Sequence, residues 1–166
     1  MRFEELAAGR TAEMAKTITE ADVVLFAGIT GDFNPVHMDA VAAARSRFGG
    51  RIAHGMLAAG LVSAVIAMRL PGPGSIYLSQ SLRFTRPVRI GDTVTARVTV
   101  TAVHAEKRRV TLQTDCRNQD GETVLEGEAL VLVPADASAL ASEPAPASEP
   151  APDGGAAGAA PDPARV

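Results

Sequence analysis

The run from Met56 to Met68 constrains the fold of this chain more than any other segment. It contains no charged residue, and its one polar side chain is that of Ser63. Such a run is apolar on every face of a helix, which predicts burial on all sides. At roughly 13 residues it is shorter than the roughly 20 that a membrane span requires. We therefore expect a central helix that other elements surround.

The surrounding elements are predicted to be β-strands. Between residues 93 and 100 apolar and polar residues alternate strictly, which is typical of a half-buried strand. Residues 11–17, 76–84, 110–116 and 124–133 are further strand candidates, and residues 89–92 and 118–121 carry turn signals. One N-terminal strand and four C-terminal strands predict an α+β fold, with an antiparallel β-sheet wrapped around the central buried helix.

Two N-caps are predicted ahead of the central helix. Thr19 precedes two acidic residues in a first helical turn, and this helix is expected to end near residues 28–31. Asp39 precedes the alanine-rich residues 40–44, where a second short helix is expected.

The C-terminal part of the chain has a different composition. Residues 134–166 are almost entirely Ala, Pro, Ser, Gly, Asp and Glu, which predicts a disordered tail after a single domain at residues 1–133. The tail carries five acidic residues and one arginine, so about +1 of the whole-chain charge of −3 remains on the domain. A nearly neutral domain argues against nucleic-acid binding. With no apolar leader or membrane span, we expect a cytoplasmic protein.

Residues 31–39 carry the side chains best suited to proton transfer, namely Asp32, Asn34 and His37 around Pro35. Pro35 fixes its own φ and biases Asn34 toward an extended conformation, so we predict a rigid loop and not a helix interior. A rigid loop holds a carboxylate and an imidazole in a fixed mutual geometry, as a catalytic acid–base pair requires. Taken singly, Asp and Asn more often cap turns.

Three segments carry a resemblance to a known family: residues 27–39 (AGITGDFNPVHMD), 52–57 (IAHGML) and 70–84 (LPGPGSIYLSQSLRF). With them the chain resembles the MaoC-like (R)-specific enoyl-CoA hydratases and dehydratases of the hot-dog fold. The resemblance implies that water adds to trans-2-enoyl-CoA to give (R)-3-hydroxyacyl-CoA by a syn course, or the reverse dehydration. It also implies a role in fatty acid metabolism, such as polyhydroxyalkanoate precursor supply.

The resemblance further implies roles for single residues. Asp32 and His37 match the catalytic pair, and Asn34 matches the residue that orders their loop. Gly55 matches the backbone N–H donor to the thioester carbonyl, and Ser63 a hydrogen-bonding partner on the central helix. A helix N-terminus suits that carbonyl because its free N–H groups and its dipole favour negative charge.

Leu57 completes the predicted substrate-binding set of Asn34, Gly55, Ser63 and Leu57. Together with Leu61 and Val62 it is first a core residue, but it is also placed to touch an acyl chain. The expected substrate is a small-molecule thioester of coenzyme A or of acyl carrier protein, with no metal and no redox cofactor. By resemblance the domain forms a homodimer, and pairing of exposed sheet edges is a physical motive for it.

These and neighbouring residues also allow other interpretations. His37, Asp39 and His54 together match no familiar metal-ligand spacing, and Asp39 is already explained as a cap. His54 is expected to be a structural hydrogen-bonding residue at the start of the helix. The arginines at 83, 86 and 89 would meet coenzyme A phosphates or form scattered surface charge, and the second is favoured.

Two alternatives to the hydratase keep the same fold. A hot-dog thioesterase also directs a helix N-terminus at the thioester carbonyl, but water attacks that carbonyl instead of C3. A non-catalytic acyl-CoA-binding protein would gain little from a carboxylate–imidazole pair, which costs free energy to bury.

Overall fold

The computed structural model describes residues 1–135, which form one sheet, one long central helix and three further helices. The elements are β1 (Thr11–Thr17), α1 (Glu20–Thr30), α2 (Pro35–Met38), α3 (Ala40–Ala44), α4 (Gly55–Met68), β2 (Ile76–Phe84), β3 (Thr93–His104), β4 (Arg109–Arg117) and β5 (Thr123–Leu132), with 3₁₀ turns at Phe3–Glu5 and Ala105–Lys107. Residues 136–166, which make up nearly all of the predicted tail, lie outside the described residues.

The five strands form one antiparallel sheet in the order β1-β3-β4-β5-β2. β1 and β2 are its two edges, and α4 packs on β3, β1, β4 and β5. The predicted α+β architecture of a sheet around one long helix is confirmed.

The core lies between α4 and the concave face of the sheet. The alternation predicted for β3 is confirmed, and β4 continues it. The apolar side of the two strands is almost fully buried: Val94, Ala96, Val98, Val100, Val110, Leu112 and Cys116. The Cys116 thiol donates to the carbonyl of Ala58 on α4, with Sγ 3.6 Å from the oxygen. Burial raises the pKa of this thiol to about 12, so Cys116 is an unreactive core residue.

The prediction that α4 is buried on every side is wrong for the single chain. Ala58, Val62, Val65 and Ile66 face the sheet and are buried. On the opposite side a stripe with helical spacing is exposed, formed by Met56, Gly60, Ser63 and Ala67. A single sheet covers only one side of a helix, so the apolar residues on the other side of α4 stay exposed.

Strand β2 forms at the predicted residues 76–84, but it is irregular. Its pairing with β5 shifts between Tyr77 and Ser79, which makes Leu78 a bulge residue. Ile76, Tyr77, Leu78 and Phe84 are exposed at this sheet edge. Within residues 1–135 no helix combines the length and apolar character needed to cross a bilayer.

The predicted start of α1 is confirmed in detail. The Thr19 hydroxyl accepts from the Asp22 N–H at 3.2 Å, and the Asp22 carboxylate accepts from the Thr19 N–H at 2.8 Å. This reciprocal pair satisfies two N–H groups that the helix leaves free. Gly31 ends α1 with a φ of 75°, a left-handed conformation that favours glycine. The chain therefore turns sharply into the segment that carries Asp32.

Candidate active site

His37 lies on the one-turn helix α2, which corrects the prediction of a loop. Pro35 occupies its first turn, where a missing N–H costs nothing and the fixed φ suits a helix. Asn34 is the N-cap, and its side-chain oxygen accepts from the Val36 N–H at 3.2 Å. Asn34 thus orders the segment, as the resemblance implies, and Asp32 remains in the preceding turn.

Asp32 is oriented by its neighbours in that turn. Its Oδ1 accepts from the Asn34 N–H at 3.2 Å, and its own N–H donates to the Thr30 hydroxyl at 3.3 Å. The side chain is exposed in the single chain. The carboxylate is therefore held by one main-chain donor, and its remaining acceptor positions are available to solvent or substrate.

His37 is buried, and one of its two ring nitrogens is already engaged. Its Nδ1 lies 2.8 Å from the carbonyl oxygen of Ile52. A carbonyl only accepts, so Nδ1 carries the hydrogen and donates. In the neutral ring this leaves the lone pair on Nε2 for proton transfer.

His54 packs directly against His37, with ring centroids 3.9 Å apart. Its Nε2 donates to the main-chain carbonyl of Asp32 at 2.9 Å, so it ties the Asp32 turn to the start of α4. Its Nδ1 is buried, and residues 1–135 offer that atom no hydrogen-bond partner. The predicted structural role of His54 at the helix start agrees with these contacts.

The carboxylate and the imidazoles form one compact cluster. A carboxylate oxygen of Asp32 and one ring nitrogen from each of His37 and His54 lie within 4.8 Å of one another. One water with two hydrogen bonds of about 2.8 Å each spans such a separation. The same three side chains could hold a metal ion, since carboxylate and imidazole are both common metal ligands. Asp39 takes no part, because it accepts from the Val41 and Ala42 N–H groups as the cap of α3.

The first turn of α4 lies beside this cluster. His54 is its N-cap, and no side chain caps the N–H groups of the turn. Gly55 begins the helix, and a Cβ there would lie 2.9 Å from Cε1 of Phe84. A side chain at this position would have to displace the Phe84 ring, which packs directly against the Gly55 backbone. The helix therefore begins with free N–H groups and a positive dipole end.

A cavity of about 440 Å³ joins these elements. Its lining includes one catalytic candidate, the start of α4 and several apolar or aromatic side chains: His37, Gly55, Met56, Phe48, Phe84 and Val88. Asp32 lies next to the cavity without lining it. The volume is within the usual range for small-molecule sites, and the apolar lining suits an acyl group.

Two predicted substrate-binding residues of α4 are not brought to the cavity. Ser63 is exposed on the outer stripe of α4, two turns beyond Gly55, and makes no side-chain hydrogen bond within residues 1–135. Leu57 packs against the core and does not line the cavity. Its neighbours Met56 and Ala58 line the cavity instead.

The sequence from residue 3 to residue 121 matches the family described as "MaoC like domain". The chain belongs to the MaoC-like domain family. The match covers more than half of the chain and both the Asp32–His37 segment and the start of α4.

Individual relatives of this MaoC-like domain span the same region. It is 56% identical over 133 residues to an "(R)-specific enoyl-CoA hydratase" of Rhodospirillum rubrum, covering 80% of this chain and 92% of the relative. It is 54% identical over 132 residues to a "3-hydroxybutyryl-CoA dehydratase" of Methylorubrum extorquens, covering 80% and 83%. The solved structure of an (R)-hydratase from A. caviae involved in PHA biosynthesis superposes with a TM-score of 0.77 at 45% identity, covering 79% of this chain and 99% of that one. The predicted hot-dog fold is confirmed.

Several residues of the site in this MaoC-like domain were not predicted from sequence. Arg51 donates from Nε to the His37 carbonyl at 2.5 Å and pairs with Glu20 at 2.7 Å, so it fastens α2 to α1. Arg47 and Phe48 line the cavity, although the sequence around them carries no recognisable motif. The sequence predicts only that Phe84 ends a strand, and a strand pattern does not indicate that its ring lies against Gly55.

Proposed function

We propose that this protein adds water to trans-2-enoyl-CoA to give (R)-3-hydroxyacyl-CoA, and that it catalyses the reverse dehydration. One observation carries the proposal. The Asp32 carboxylate and the His37 imidazole meet within 4.8 Å beside a cavity that the first turn of α4 lines. The hydratase and dehydratase relatives, at 45–56% identity, confirm the reaction class that the sequence predicts.

The geometry supports a direct addition. A water held between Asp32 and His37 adds its oxygen to C3 of the enoyl group, and its proton passes to one member of the pair. C2 receives a proton from the pair, so the sum is one water across the double bond. As C3 is attacked, charge develops on the thioester oxygen, and the N–H groups at the start of α4 stabilise it.

The hydrogen bond from His37 Nδ1 to the Ile52 carbonyl contributes to this mechanism. It holds the ring so that Nε2 exchanges the proton, and it stabilises the imidazolium that forms when Nε2 is protonated. The Asn34 N–H holds the Asp32 carboxylate in a similar way. Both reacting groups are therefore positioned before the substrate binds.

The reaction requires no metal ion and no redox cofactor in this proposal. Hydration leaves the oxidation level of the molecule unchanged, and an acid–base pair with N–H donors is sufficient for it. Treatment of the purified enzyme with EDTA followed by desalting is expected to leave its activity unchanged. Loss of activity that zinc or another divalent ion restores would contradict this part of the proposal and assign the Asp32, His37 and His54 cluster to a metal.

We propose a homodimer in which β2 edges pair and the exposed stripe of α4 is covered. The exposed apolar residues of β2 and the Met56, Gly60, Ser63, Ala67 stripe support this arrangement, because water-exposed apolar surface of this kind marks interfaces.

We also propose that the protein is cytoplasmic and that it supplies precursors of polyhydroxyalkanoate. The similarity to the A. caviae (R)-hydratase involved in PHA biosynthesis supports the second proposal.

The decisive experiment follows the loss of crotonyl-CoA absorbance with wild-type enzyme, Asp32→Asn and His37→Ala. Each substitution is expected to lower kcat/KM by at least about 10²-fold, because it removes one of the two groups that transfer protons in the reaction. Asp39→Asn keeps a capping side chain, and His104→Ala removes an exposed imidazole of β3; both controls are expected to stay near wild type.

The same assay separates the alternatives. Release of free coenzyme A thiol with the double bond intact would assign a thioesterase. Binding of crotonyl-CoA without any turnover would assign a non-catalytic binding protein. Either result, or full activity of both Asp32→Asn and His37→Ala, would refute the hydratase proposal.

A further inference from the structure

Two arginines line the same cavity as His37 and Gly55. Arg47 lies between α3 and α4, and Arg86 follows β2. The residues that line the cavity around them are mostly apolar, as in Ile52, Ala58 and Val88. Guanidinium groups in an otherwise apolar lining mark the part of a cavity that is suited to an anionic group.

Arg47 differs from the other arginines near this cavity, because each of the others has a partner in the fold. Arg83 pairs with Glu126, and Arg86 pairs with Glu122 at 3.2 Å. Arg89 donates to the Phe48 carbonyl at 2.8 Å. Within residues 1–135 Arg47 has no carboxylate within ion-pair distance, and its guanidinium carbon lies 5.3 Å from the centroid of the Phe48 ring.

The Phe48 ring leaves the donor groups of Arg47 available. A guanidinium over an aromatic face is held by the ring quadrupole, and that contact uses none of its N–H groups. Among the residues that the structure describes, Arg47 therefore lies at the cavity with no carboxylate to offset its charge and with its N–H groups free. Arg86 lines the same cavity, but Glu122 offsets part of its charge.

We propose that Arg47, assisted by Arg86, binds the phosphate of the pantetheine arm that carries the acyl thioester. The inference rests on the proposed function, which places the reacting thioester at His37 and Gly55 in this cavity. Pantetheine is uncharged, and the phosphate at its far end is the nearest anion of the substrate. Fixing that phosphate keeps the arm in the cavity and positions the thioester for reaction, so Arg47 is a positioning residue.

The test compares KM and kcat for crotonyl-CoA and for crotonyl-pantetheine, which lacks every phosphate. Arg47→Ala is expected to raise KM for crotonyl-CoA about tenfold, as for loss of an exposed charge-assisted contact, with a much smaller change in kcat. KM for crotonyl-pantetheine is expected to change by no more than about twofold, because no phosphate is lost from its binding. Arg47→Lys, which keeps the charge, is expected to recover most of the effect.

Arg45→Ala is the matched control. Arg45 is exposed in the same segment, two residues before Arg47, but it does not line the cavity. It is expected to behave as wild type with both substrates. Thermal unfolding of each variant shows whether a kinetic change accompanies a loss of stability.

Crotonyl-4′-phosphopantetheine identifies which phosphate is bound. An Arg47 effect with this substrate supports the phosphate that coenzyme A shares with the arm of acyl carrier protein. An effect confined to crotonyl-CoA would overturn the assignment to the pantetheine phosphate, and Arg47 would then bind a phosphate of the nucleotide part.

Three outcomes would exclude an anion site at Arg47. An equal rise in KM for crotonyl-pantetheine would mean that Arg47 acts by packing, and an equal rise in Arg45→Ala would mean a general effect of surface charge. An unchanged KM in Arg47→Ala would exclude the contact. In all three the wild-type enzyme still hydrates crotonyl-CoA, whereas absence of turnover with every substrate would refute the proposed function and this inference together.

Discussion

The backbone carbonyl of Ile52 decides which nitrogen of His37 is available for chemistry. It accepts from Nδ1 at 2.8 Å, which fixes the tautomer and the orientation of the ring. Ile52 is far from His37 in sequence, and its carbonyl is placed by the chain between α3 and α4. The second imidazole, His54, donates from Nε2 to the carbonyl of Asp32. Each histidine is therefore oriented by a hydrogen bond to a main-chain carbonyl.

Gly55 provides a prediction for a single residue. In Gly55→Ala the added Cβ would lie 2.9 Å from Cε1 and 3.0 Å from Cδ1 of Phe84, so the ring must move within the cavity wall. We expect a loss of about 1–2 kcal/mol in the free energy of unfolding and a fall in kcat/KM of about tenfold. Chemical denaturation and the crotonyl-CoA assay measure the two effects.

The control and the rescue for Gly55→Ala are both available in this chain. Gly28→Ala in α1 adds a Cβ with nothing within 4 Å, and it is expected to leave activity unchanged. The double variant Gly55→Ala, Phe84→Ala removes the ring that the new Cβ meets. If its activity is no higher than that of Gly55→Ala, steric contact with Phe84 is not the cause.

The short helices α2 and α3 depend on their caps. A four- or five-residue helix is not stable by itself, because nucleation fixes several residues for very few hydrogen bonds. Asn34 caps α2 and Asp39 caps α3, and each side chain supplies an acceptor that the first turn lacks. The cap of α2 also places Asp32 and His37, whereas the cap of α3 touches neither.

This difference between the two caps is testable. Asn34→Ala and Asp39→Ala are each expected to lower the free energy of unfolding by about 1 kcal/mol. Asn34→Ala is expected to reduce kcat at least about tenfold, since it loosens the turn that orients both members of the acid–base pair. Asp39→Ala should reduce kcat far less, and Asn34→Ser, which retains a cap, should recover most of the activity.

Equal effects of Asn34→Ala and Asp39→Ala on kcat would contradict this assignment. They would mean that α2 and α3 act on the site only through overall stability. Unfolding curves and single-substrate kinetics on the same preparations decide between the two.

At the scale of the molecule, the unsatisfied surfaces of α4 and β2 predict association. β2 is an edge strand with exposed Ile76, Tyr77 and Leu78, and an edge of this kind is a template for pairing. Leu78→Lys places a charge on that edge and is expected to weaken dimerisation by at least about 10²-fold. Sedimentation equilibrium measures the dissociation constant.

Ala15→Lys on β1, at the opposite edge of the sheet, is the matched control and is expected to remain dimeric. A monomeric wild type, or dissociation of both variants alike, would contradict pairing through β2. Because circular dichroism reports folding separately, it distinguishes a folded monomer from a misfolded chain.

The sequence by itself determined those features that depend on local chemistry. The caps at Thr19 and Asp39, the alternation in β3, and the family motif around Asp32 and His37 are all readable within a few residues. Side-chain hydrogen bonding to neighbouring N–H groups and period-two burial are local rules, so the fold class followed from them.

Tertiary structure alone decided which sides of these elements meet. The run from Met56 to Met68 predicts burial, but only the sheet decides that Ser63 faces outward and that Met56 and Ala58, not Leu57, line the cavity. The contacts of His37 with Ile52, of Gly55 with Phe84, and of Arg47 with the cavity join residues on different elements. No local rule encodes such contacts, because they depend on how the helices cross the sheet.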